Sequence, residues 1–327
     1  MQDFDFDERD LRLLHALQIR PRAPWTALAP VVGADAVTLA RRWNFLSAEG
    51  LAWVATHHGS GSKVAFAIVE VECSPASLAA VTDELAADPD VLSVDHTAGG
   101  RDMVLSVICR DEASLGRFIL DRLGAIKGIR STRTHVGINL IADARSWRLR
   151  SLQDHEVKLI EREAPQPSPA TRAASTDVEG HLFRILRSDG RASITEISHQ
   201  LGISPSRAKS ALNAALAQDR IVVRLEIARK LSPWPVSVWY FLRVPATQVE
   251  AVADKLVGLG EVRLVAMTGG PYSLVMCVWL RRLEDMTVLE RQLGERLPTV
   301  EIMDRSIALR TPKHVGVRLD PSGRRIM

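Results

Sequence analysis

The sequence has few cysteines, no long hydrophobic run and little net charge, and each shortage argues against a class of protein. The three cysteines, Cys73, Cys109 and Cys277, lie far apart inside apolar segments. This spacing argues against a zinc cluster or a disulfide framework and predicts buried thiols in a reducing compartment. No apolar run approaches the roughly 18 residues that a membrane-spanning helix needs.

The charge balance and the acidic start of the chain bear on the partner and on the cellular location. The 327 residues carry a formal net charge of only +3, so no strong basic field indicates a nucleic-acid partner and none forbids one. The opening segment, MQDFDFDERD, is acidic, unlike a signal peptide. We therefore expect a cytoplasmic protein with no membrane partner, long enough for two or more domains.

The chain contains an internal repeat in which two segments recur in the same order. LLHALQIRPRAPWTALAPVVGADAVTLARRWNFL aligns with LFRILRSDGRASITEISHQLGISPSRAKSALNAAL, which places Gly33 on Gly202, an offset of 169. DVLSVDHTAGGRDMVLSVICR aligns with EVRLVAMTGGPYSLVMCVWLR, which places Thr97 on Thr268, an offset of 171. The chain is therefore interpreted as a tandem of two similar halves.

Each half opens with a pattern that predicts three helices and a strand. Trp53 and Val54 read as a wing strand in the first half, and IVVRLEI does so in the second. Asp35 and Ser204 are predicted helix N-caps, and Gly202 suits the end of the preceding helix. This order is the winged helix-turn-helix outline. The boundaries expected for these helices are residues 8–18, 26–32 and 35–48 in the first half and 206–218 for the third helix of the second half.

The remainder of each half alternates strands and helices in the order βαββαβ. KVAFAIVEVEC and VSVWYFLRV are the first strands of the two copies, and each is followed by a helical pattern and a strand pair. This is the ferredoxin-like arrangement, an antiparallel sheet with two helices on one face. The predicted fold class is α+β, with two winged helix-turn-helix domains, each followed by a ferredoxin-like domain.

A proline-rich stretch separates the halves. EREAPQPSPATRAAS, residues 161–175, alternates prolines with small and charged residues and is typical of an extended, semi-rigid linker. We place the join near residues 165–175. The predicted domains are 1–58 and 177–230 for the two helix-turn-helix domains, 62–147 and 235–316 for the two ferredoxin-like domains, 148–176 for a helix and the linker, and 317–327 for a tail.

In these features the sequence resembles the Lrp/AsnC, or feast/famine, family of bacterial transcriptional regulators. The resemblance rests on the acidic-start helix DERDLRLLHAL, the spacing to GISPSRAKSAL, the following strand, and the Gly-x-x-Asp turn from Gly99 to Asp102. It implies a winged-helix DNA reader joined to a domain that senses small molecules, often amino acids, and that builds oligomers. Family members usually carry one such pair per chain, so this chain could form by itself the pseudo-twofold unit that others build from two subunits.

The predicted DNA contacts lie on the third helix of each reader. Phosphates are held by basic and hydroxyl side chains, while residues near the helix start read base edges. The simpler alternative is a solvated helix face. Residues 177–230 hold nine Lys or Arg against six Asp or Glu, whereas residues 1–58 hold six against seven, so the second reader is expected to bind DNA better. The candidates are Thr38, Arg41 and Arg42 in the first half and Ser204, Ser206, Arg207, Lys209 and Ser210 in the second.

The resemblance places an effector site at the turn between the two central strands of each ferredoxin-like domain. Backbone amides at a glycine turn can bind the carboxylate of a free amino acid, and Asp102 can bind its ammonium group. The alternative is a plain hairpin turn. Ser273 stands where the second half would have the aspartate, so two unequal sites are expected. The candidates are Thr97, Ala98, Gly99, Gly100 and Asp102, and Thr268, Gly269, Gly270 and Ser273.

Two other functions share this architecture. Siroheme decarboxylases resemble the same family, and His96 stands near the position of their histidine, but their Tyr-x-Arg and Asn-x-Trp-Phe motifs do not follow it. The other alternative function is a metabolite-sensing oligomer that does not bind DNA. The sequence predicts a DNA-binding homo-oligomer that is not an enzyme, with no catalytic residue, cofactor or metal site.

Overall fold

The computed structural model describes residues 4–167 and 176–326, and these residues form two compact units. One unit contains residues 4–63, 148–167, 176–228 and 324–326, and the other contains Val64–Trp147 and Arg229–Gly323. Each unit therefore combines corresponding parts of both sequence halves. Most of the linker predicted at 165–175 lies outside the described residues.

The fold mixes helices and strands throughout the described residues. The helices are α1 (Glu8–Ile19), α2 (Trp25–Val32), α3 (Ala36–Ala48), α4 (Leu78–Ala87), α5 (Glu112–Arg117), α6 (Asp154–Glu163), α7 (Thr176–Ser188), α8 (Ile194–Leu201), α9 (Pro205–Ala217), α10 (Val249–Val257) and α11 (Asp285–Arg296). The strands are β1 (Ala52–His58), β2 (Ala65–Cys73), β3 (Val91–Ala98), β4 (Met103–Cys109), β5 (Ile129–Ala142), β6 (Ile221–Ile227), β7 (Val236–Arg243), β8 (Val262–Gly269), β9 (Leu274–Leu280), β10 (Glu301–His314) and β11 (Val317–Arg318).

The predicted helix starts and stops are present where local chemistry places them. The Asp35 carboxylate accepts hydrogen bonds from two amides of the first turn of α3, and the Ser204 hydroxyl accepts one from the amide of Arg207. Gly33 and Gly202 end α2 and α8 with φ of 77° and 62°, a left-handed conformation that favours glycine. The two tight turns before α3 and α9 are thus built alike.

The first unit is held together by contacts that run both ways between its two three-helix segments. Strands β1 and β6 pair antiparallel, with Ala52 opposite Ile227. The Arg22 guanidinium donates to the carbonyls of Gly190 and Ala192, and the Arg191 guanidinium donates to the carbonyls of Pro21 and Ala23. Because Arg22 and Arg191 occupy equivalent positions in the two halves, these contacts give the first unit a pseudo-twofold arrangement.

Helix α6 distinguishes the two segments, because it packs on the α1–α2 side of the first. Arg12 of α1 forms an ion pair with Glu156 at 2.5 Å, and the ring of His15 accepts hydrogen bonds from the amides of Ser151 and Leu152. The covered face includes buried apolar side chains, whereas the equivalent face of α7 and α8 lines a cleft of about 390 Å³ with polar and apolar walls. Three aligned pairs show the change from apolar to polar: Ile19 with Ser188, Ala27 with Glu196, and Val31 with Gln200.

The second unit contains a closed ring of strands. Each half contributes a four-stranded antiparallel sheet, in the orders β3-β4-β2-β5 and β8-β9-β7-β10. Strand β5 pairs with β8 and β10 pairs with β3, which joins the sheets at both edges. Closure leaves no open edge between the halves, so neither sheet is exposed to pairing with another chain there.

Three apolar clusters fill the second unit. Helices α4 and α5 pack on one sheet and α10 and α11 on the other, each over its own buried core. A third cluster, which includes Ile68, Val104, Trp239 and Phe241, lies on the opposite sheet faces, inside the ring. Burial on both faces explains why strands such as LVMCVWL are apolar along their whole length.

Candidate functional site

The start of α9 presents a set of exposed polar and basic side chains. Ala208, Ala211 and Leu212 are buried in the core beneath it, and this burial fixes which face of the helix points outward. Among the described residues, neither Arg207 nor Lys209 forms an ion pair. The predicted contact residues of this helix are all exposed: Ser204, Ser206, Arg207, Lys209 and Ser210.

Helix α3 presents a different surface at the equivalent place. The Thr38 hydroxyl donates to the Asp35 carboxylate at 2.6 Å, and this bond, with the amide bonds of the cap, lowers the pKa of Asp35. Arg42 binds the fully buried Asp10 of α1 through two hydrogen bonds of 2.5 and 2.6 Å. Arg41 remains exposed, and Val37 is 78% exposed. Of the three residues predicted here, two are thus engaged inside the domain.

The two predicted effector turns have the same internal hydrogen bonds. The Thr97 hydroxyl donates to the carbonyl of Arg101 at 3.0 Å, and the Thr268 hydroxyl donates to that of Tyr272 at 2.9 Å. Gly99 and Gly270 have φ of 118° and 129°, so both turns need glycine there. The threonine and glycine positions thus have the same structural role in both turns.

Asp102 and Ser273 both attach their turn to the first strand of the same half. A carboxylate oxygen of Asp102 accepts a hydrogen bond from the Cys73 amide at 2.7 Å. The Ser273 hydroxyl accepts one from the Val244 amide at 2.8 Å. Since Cys73 and Val244 are themselves equivalent, aspartate and serine serve one structural role here. An ammonium group at Asp102 would have to share the carboxylate with this amide.

Each turn lies next to the last strand of the other half. A Cβ placed on Gly99 would lie 3.8 Å from the Ser306 hydroxyl of β10, and one on Gly270 would lie 3.8 Å from the His135 ring of β5. The predicted effector residues Ala98, Gly100 and Gly269 lie in these turns, and Gly100 and Gly269 are exposed. A ligand bound at either turn would therefore contact both halves.

A buried ionic cluster, which the sequence analysis did not anticipate, lies beside the first turn. Glu70 binds Arg101 and His135, each at 2.6 Å, and all three side chains are at most 2% exposed. Arg101 also donates to the Ser306 hydroxyl at 2.7 Å and pairs with Asp304. The Glu70–Arg101–His135 cluster thus connects the first half to β10 of the second.

The protonation of Glu70 follows from this cluster. Burial alone would raise the pKa of its carboxyl, but the hydrogen bond from His135 and the charge of Arg101 outweigh burial and hold the pKa below its usual value. In the second half the equivalent positions are uncharged, with Phe241 for Glu70 and Tyr272 for Arg101. A glutamate inside the apolar run AFAIVEVEC was the available signal in the sequence.

The other residues that the sequence singles out are His96 and the three cysteines. The His96 ring bonds the Thr82 hydroxyl of α4 at 2.7 Å, and burial lowers the pKa of that histidine. The three cysteines are free and buried, which confirms that prediction, and burial raises the pKa of Cys109 and Cys277 to about 12. Residues 4–167 and 176–326 contain no cluster of metal-binding side chains. No helix among the described residues is long and apolar enough to cross a bilayer.

Two family models match parts of the chain. Residues 66–147 match the Lrp/AsnC ligand binding domain, and residues 178–222 match a winged helix-turn-helix DNA-binding domain. An uncharacterized HTH-type transcriptional regulator of Pyrococcus abyssi is 29% identical over 145 residues, covering 43% of this chain and 89% of that protein. Another from Pyrococcus horikoshii is 28% identical over 147 residues, covering 44% and 90%.

Solved structures match the fold over almost the whole chain. The crystal structure of the siroheme decarboxylase NirDL covers 94% of this chain and 93% of its own, with a TM-score of 0.56 and 13% identity. The same enzyme in complex with an iron-uroporphyrin III analogue gives a TM-score of 0.57. At this identity the likeness concerns the fold alone.

Proposed function

The chain is a member of the Lrp/AsnC family of transcriptional regulators, and on that premise we propose that it binds specific DNA sequences in response to a small metabolite. The observation that carries the proposal is the start of α9. Exposed Ser206, Arg207 and Lys209 project from a helix in the segment that matches a DNA-binding domain. Basic side chains without an ion pair of their own are free to neutralise phosphates.

The first three-helix segment is, in this proposal, a second DNA reader. It shares the cap, the turn and the wing strand of the other segment, and the reciprocal Arg22 and Arg191 contacts hold the two together. One polypeptide would then provide the paired readers that a dimer of single-reader chains provides. A chain whose two readers dissociate from each other in solution would contradict this part of the proposal.

The effector is proposed to bind at the turns between β3 and β4 and between β8 and β9. Backbone amides at Gly99 and Gly100 suit a carboxylate, so a free amino acid or a related acid is the expected class of ligand. Asp102 in the first turn offers a negative charge that Ser273 in the second does not. The first turn is therefore expected to bind an amino acid more tightly than the second.

An enzyme related to the siroheme decarboxylases is the competing reading, and the fold likeness over 94% of the chain is the observation in its favour. Against it, His96 is engaged with Thr82 on α4, and the Tyr-x-Arg and Asn-x-Trp-Phe motifs do not follow that histidine in the sequence. We therefore propose that the chain is not an enzyme. A siroheme turnover assay on the purified protein tests this reading directly.

The deciding experiment measures binding to DNA from upstream of the protein's own gene. Binding is followed by fluorescence anisotropy at two salt concentrations, with and without a pool of amino acids. We expect selective binding that weakens with salt. A variant carrying Arg207→Ala and Lys209→Ala should lower the slope of log K against log salt by about 0.9 for each phosphate that the protein no longer neutralises.

A matched control removes two exposed lysines outside the readers. Lys127 and Lys255 are exposed, and both belong to the second unit. The variant Lys127→Ala with Lys255→Ala should keep the wild-type salt slope. Equal losses in the two variants would mean that binding depends on net charge alone, which contradicts the role of α9. Absence of selective binding at every salt concentration would overturn the proposed function.

A further inference from the structure

We propose that the DNA target consists of two different half-sites, of which α9 reads one through Arg207 and Lys209 while α3 reads the other through the methyl groups of thymine with Val37. The inference rests on the proposed function and adds the nature of its target. It starts from the pseudo-twofold arrangement of the first unit, which places α3 and α9 at equivalent positions.

The two helices differ at the positions nearest the base edges. The offset of 169 pairs Val37 with Ser206, Thr38 with Arg207, and Ala40 with Lys209. Helix α9 thus has two cationic side chains where α3 has a hydroxyl and a methyl group. Thr38 is also occupied by its hydrogen bond to Asp35, whereas Arg207 and Lys209 are exposed.

Helix α3 has a different reading chemistry. Val37 is 78% exposed at the first turn of α3, where a recognition helix contacts base edges. A contact with the C5-methyl group of thymine would bury it, and such apolar contacts are one of the ways in which the major groove is read. Arg41 stands on the same helix, at the position of Ser210 in α9, and can hold a phosphate. The second arginine, Arg42, is unavailable because it binds Asp10.

The other half-site should contain guanine. Arginine and lysine donate to the O6 and N7 acceptors of guanine, which is the commonest specific contact in the major groove. Since no twofold-symmetric DNA offers guanine to one reader and thymine to the other at equivalent positions, a palindrome can satisfy only one of the two helices. The protein should therefore bind its site in one orientation and define a direction along the DNA.

Selection from a random duplex library with the full chain tests the symmetry of the target. We expect the enriched sequence to join a guanine-containing half and a thymine-containing half. A duplex that carries the thymine half twice should bind at least tenfold more weakly than the mixed site, which is within the range for losing one specific contact to guanine. A duplex that carries the guanine half twice should bind about three- to fivefold more weakly, as expected for one methyl contact. An enriched palindrome, bound equally well in both halves, would overturn the inference while leaving sequence-specific DNA binding intact.

Replacement of thymine by deoxyuridine in the mixed site tests the role of Val37. This change removes one methyl group, and its loss should weaken wild-type binding about three- to fivefold, as expected for one buried methyl group. Val37→Ser, which places a polar side chain there, should bind both DNAs equally, and Ser206→Ala, at the equivalent position of α9, should keep the wild-type preference for thymine. An unchanged preference in Val37→Ser would overturn the assignment. No selective enrichment of any DNA would instead be a failure of the proposed function.

Discussion

Replacement of Arg101 by alanine would remove the cation at the centre of the Glu70–Arg101–His135 cluster. Glu70, whose side chain is 2% exposed in the intact protein, would keep His135 at 2.6 Å and the exposed Arg133 at 3.6 Å as partners. The variant would also lose the hydrogen bond to Ser306 and the stacking of the guanidinium on the Phe241 ring, whose centroid lies 4.3 Å away. Because Ser306 and Phe241 belong to the second half, the change weakens the junction between the halves.

The expected cost is about 3–5 kcal/mol in the free energy of unfolding, the usual range for removing one partner of a buried ion pair. Most of it comes from leaving the Glu70 carboxylate buried without its strongest counter-charge. Replacing both partners with uncharged side chains, Glu70→Gln with Arg101→Met, avoids that penalty. We expect the double variant to recover most of the loss, because paired neutral replacements of buried ion pairs are often nearly neutral.

The same cluster predicts a dependence of stability on pH. The pKa of Glu70 is lower in the folded protein than its usual value. Its contribution is therefore present above the unfolded pKa, about 4.3 for glutamate, and is lost as the pH falls through the lower folded value. Glu70→Gln should show a smaller loss of stability than the wild type as the pH is lowered below about 4.

Urea unfolding followed by tryptophan fluorescence measures these differences. Exposed Arg130 on β5 provides the control, and Arg130→Ala should change the free energy of unfolding by no more than about 0.5 kcal/mol. A cost below about 1 kcal/mol for Arg101→Ala would refute the reasoning, because it would mean that Glu70 is not a costly buried charge once Arg101 is gone.

Three further predictions concern the turns, the contacts between the two three-helix segments, and the thiols. Asp102→Ala and Ser273→Ala should destabilise the protein by similar amounts, about 1–2 kcal/mol each in urea unfolding, because each removes one acceptor of a backbone amide; a marked difference would contradict their shared role. Arg191→Ala should cost more stability than Arg22→Ala, since the Arg191 guanidinium also lies 4.0 Å from the Trp25 ring, and equal midpoints would argue against a stabilising role for that stacking. Cys277, whose pKa burial raises to about 12, should resist alkylation at pH 8 until the protein is unfolded, and rapid labelling of the native protein would show that the thiol is accessible.

The features that the sequence analysis predicted well are those encoded by near neighbours. The caps at Asp35 and Ser204, the left-handed glycines at Gly33 and Gly202, and the helices between them depend on residues within one turn of the chain. The strand order βαββαβ is likewise present in both halves. The roles of the DNA and effector residues remain predictions, which the experiments above test.

The side-chain roles at the candidate sites were harder to predict. Arg41 and Arg42 are adjacent and look alike in the sequence, yet only Arg42 reaches Asp10, 32 positions earlier. Arg101 lies within the turn from Gly99 to Asp102, yet its side chain enters the ring and meets Ser306, 205 positions later. Such partners become neighbours only after the sheets have paired.

The sequence alone therefore determined the local elements and the existence of two similar halves, because periodicity, caps and turn residues act over a few positions. Tertiary structure decided how the halves combine. Corresponding parts of both halves come together, with β1 on β6, β5 on β8, and β10 on β3. The physical reason is that each half alone leaves strand edges and an apolar sheet face uncovered, and pairing with the other half covers both.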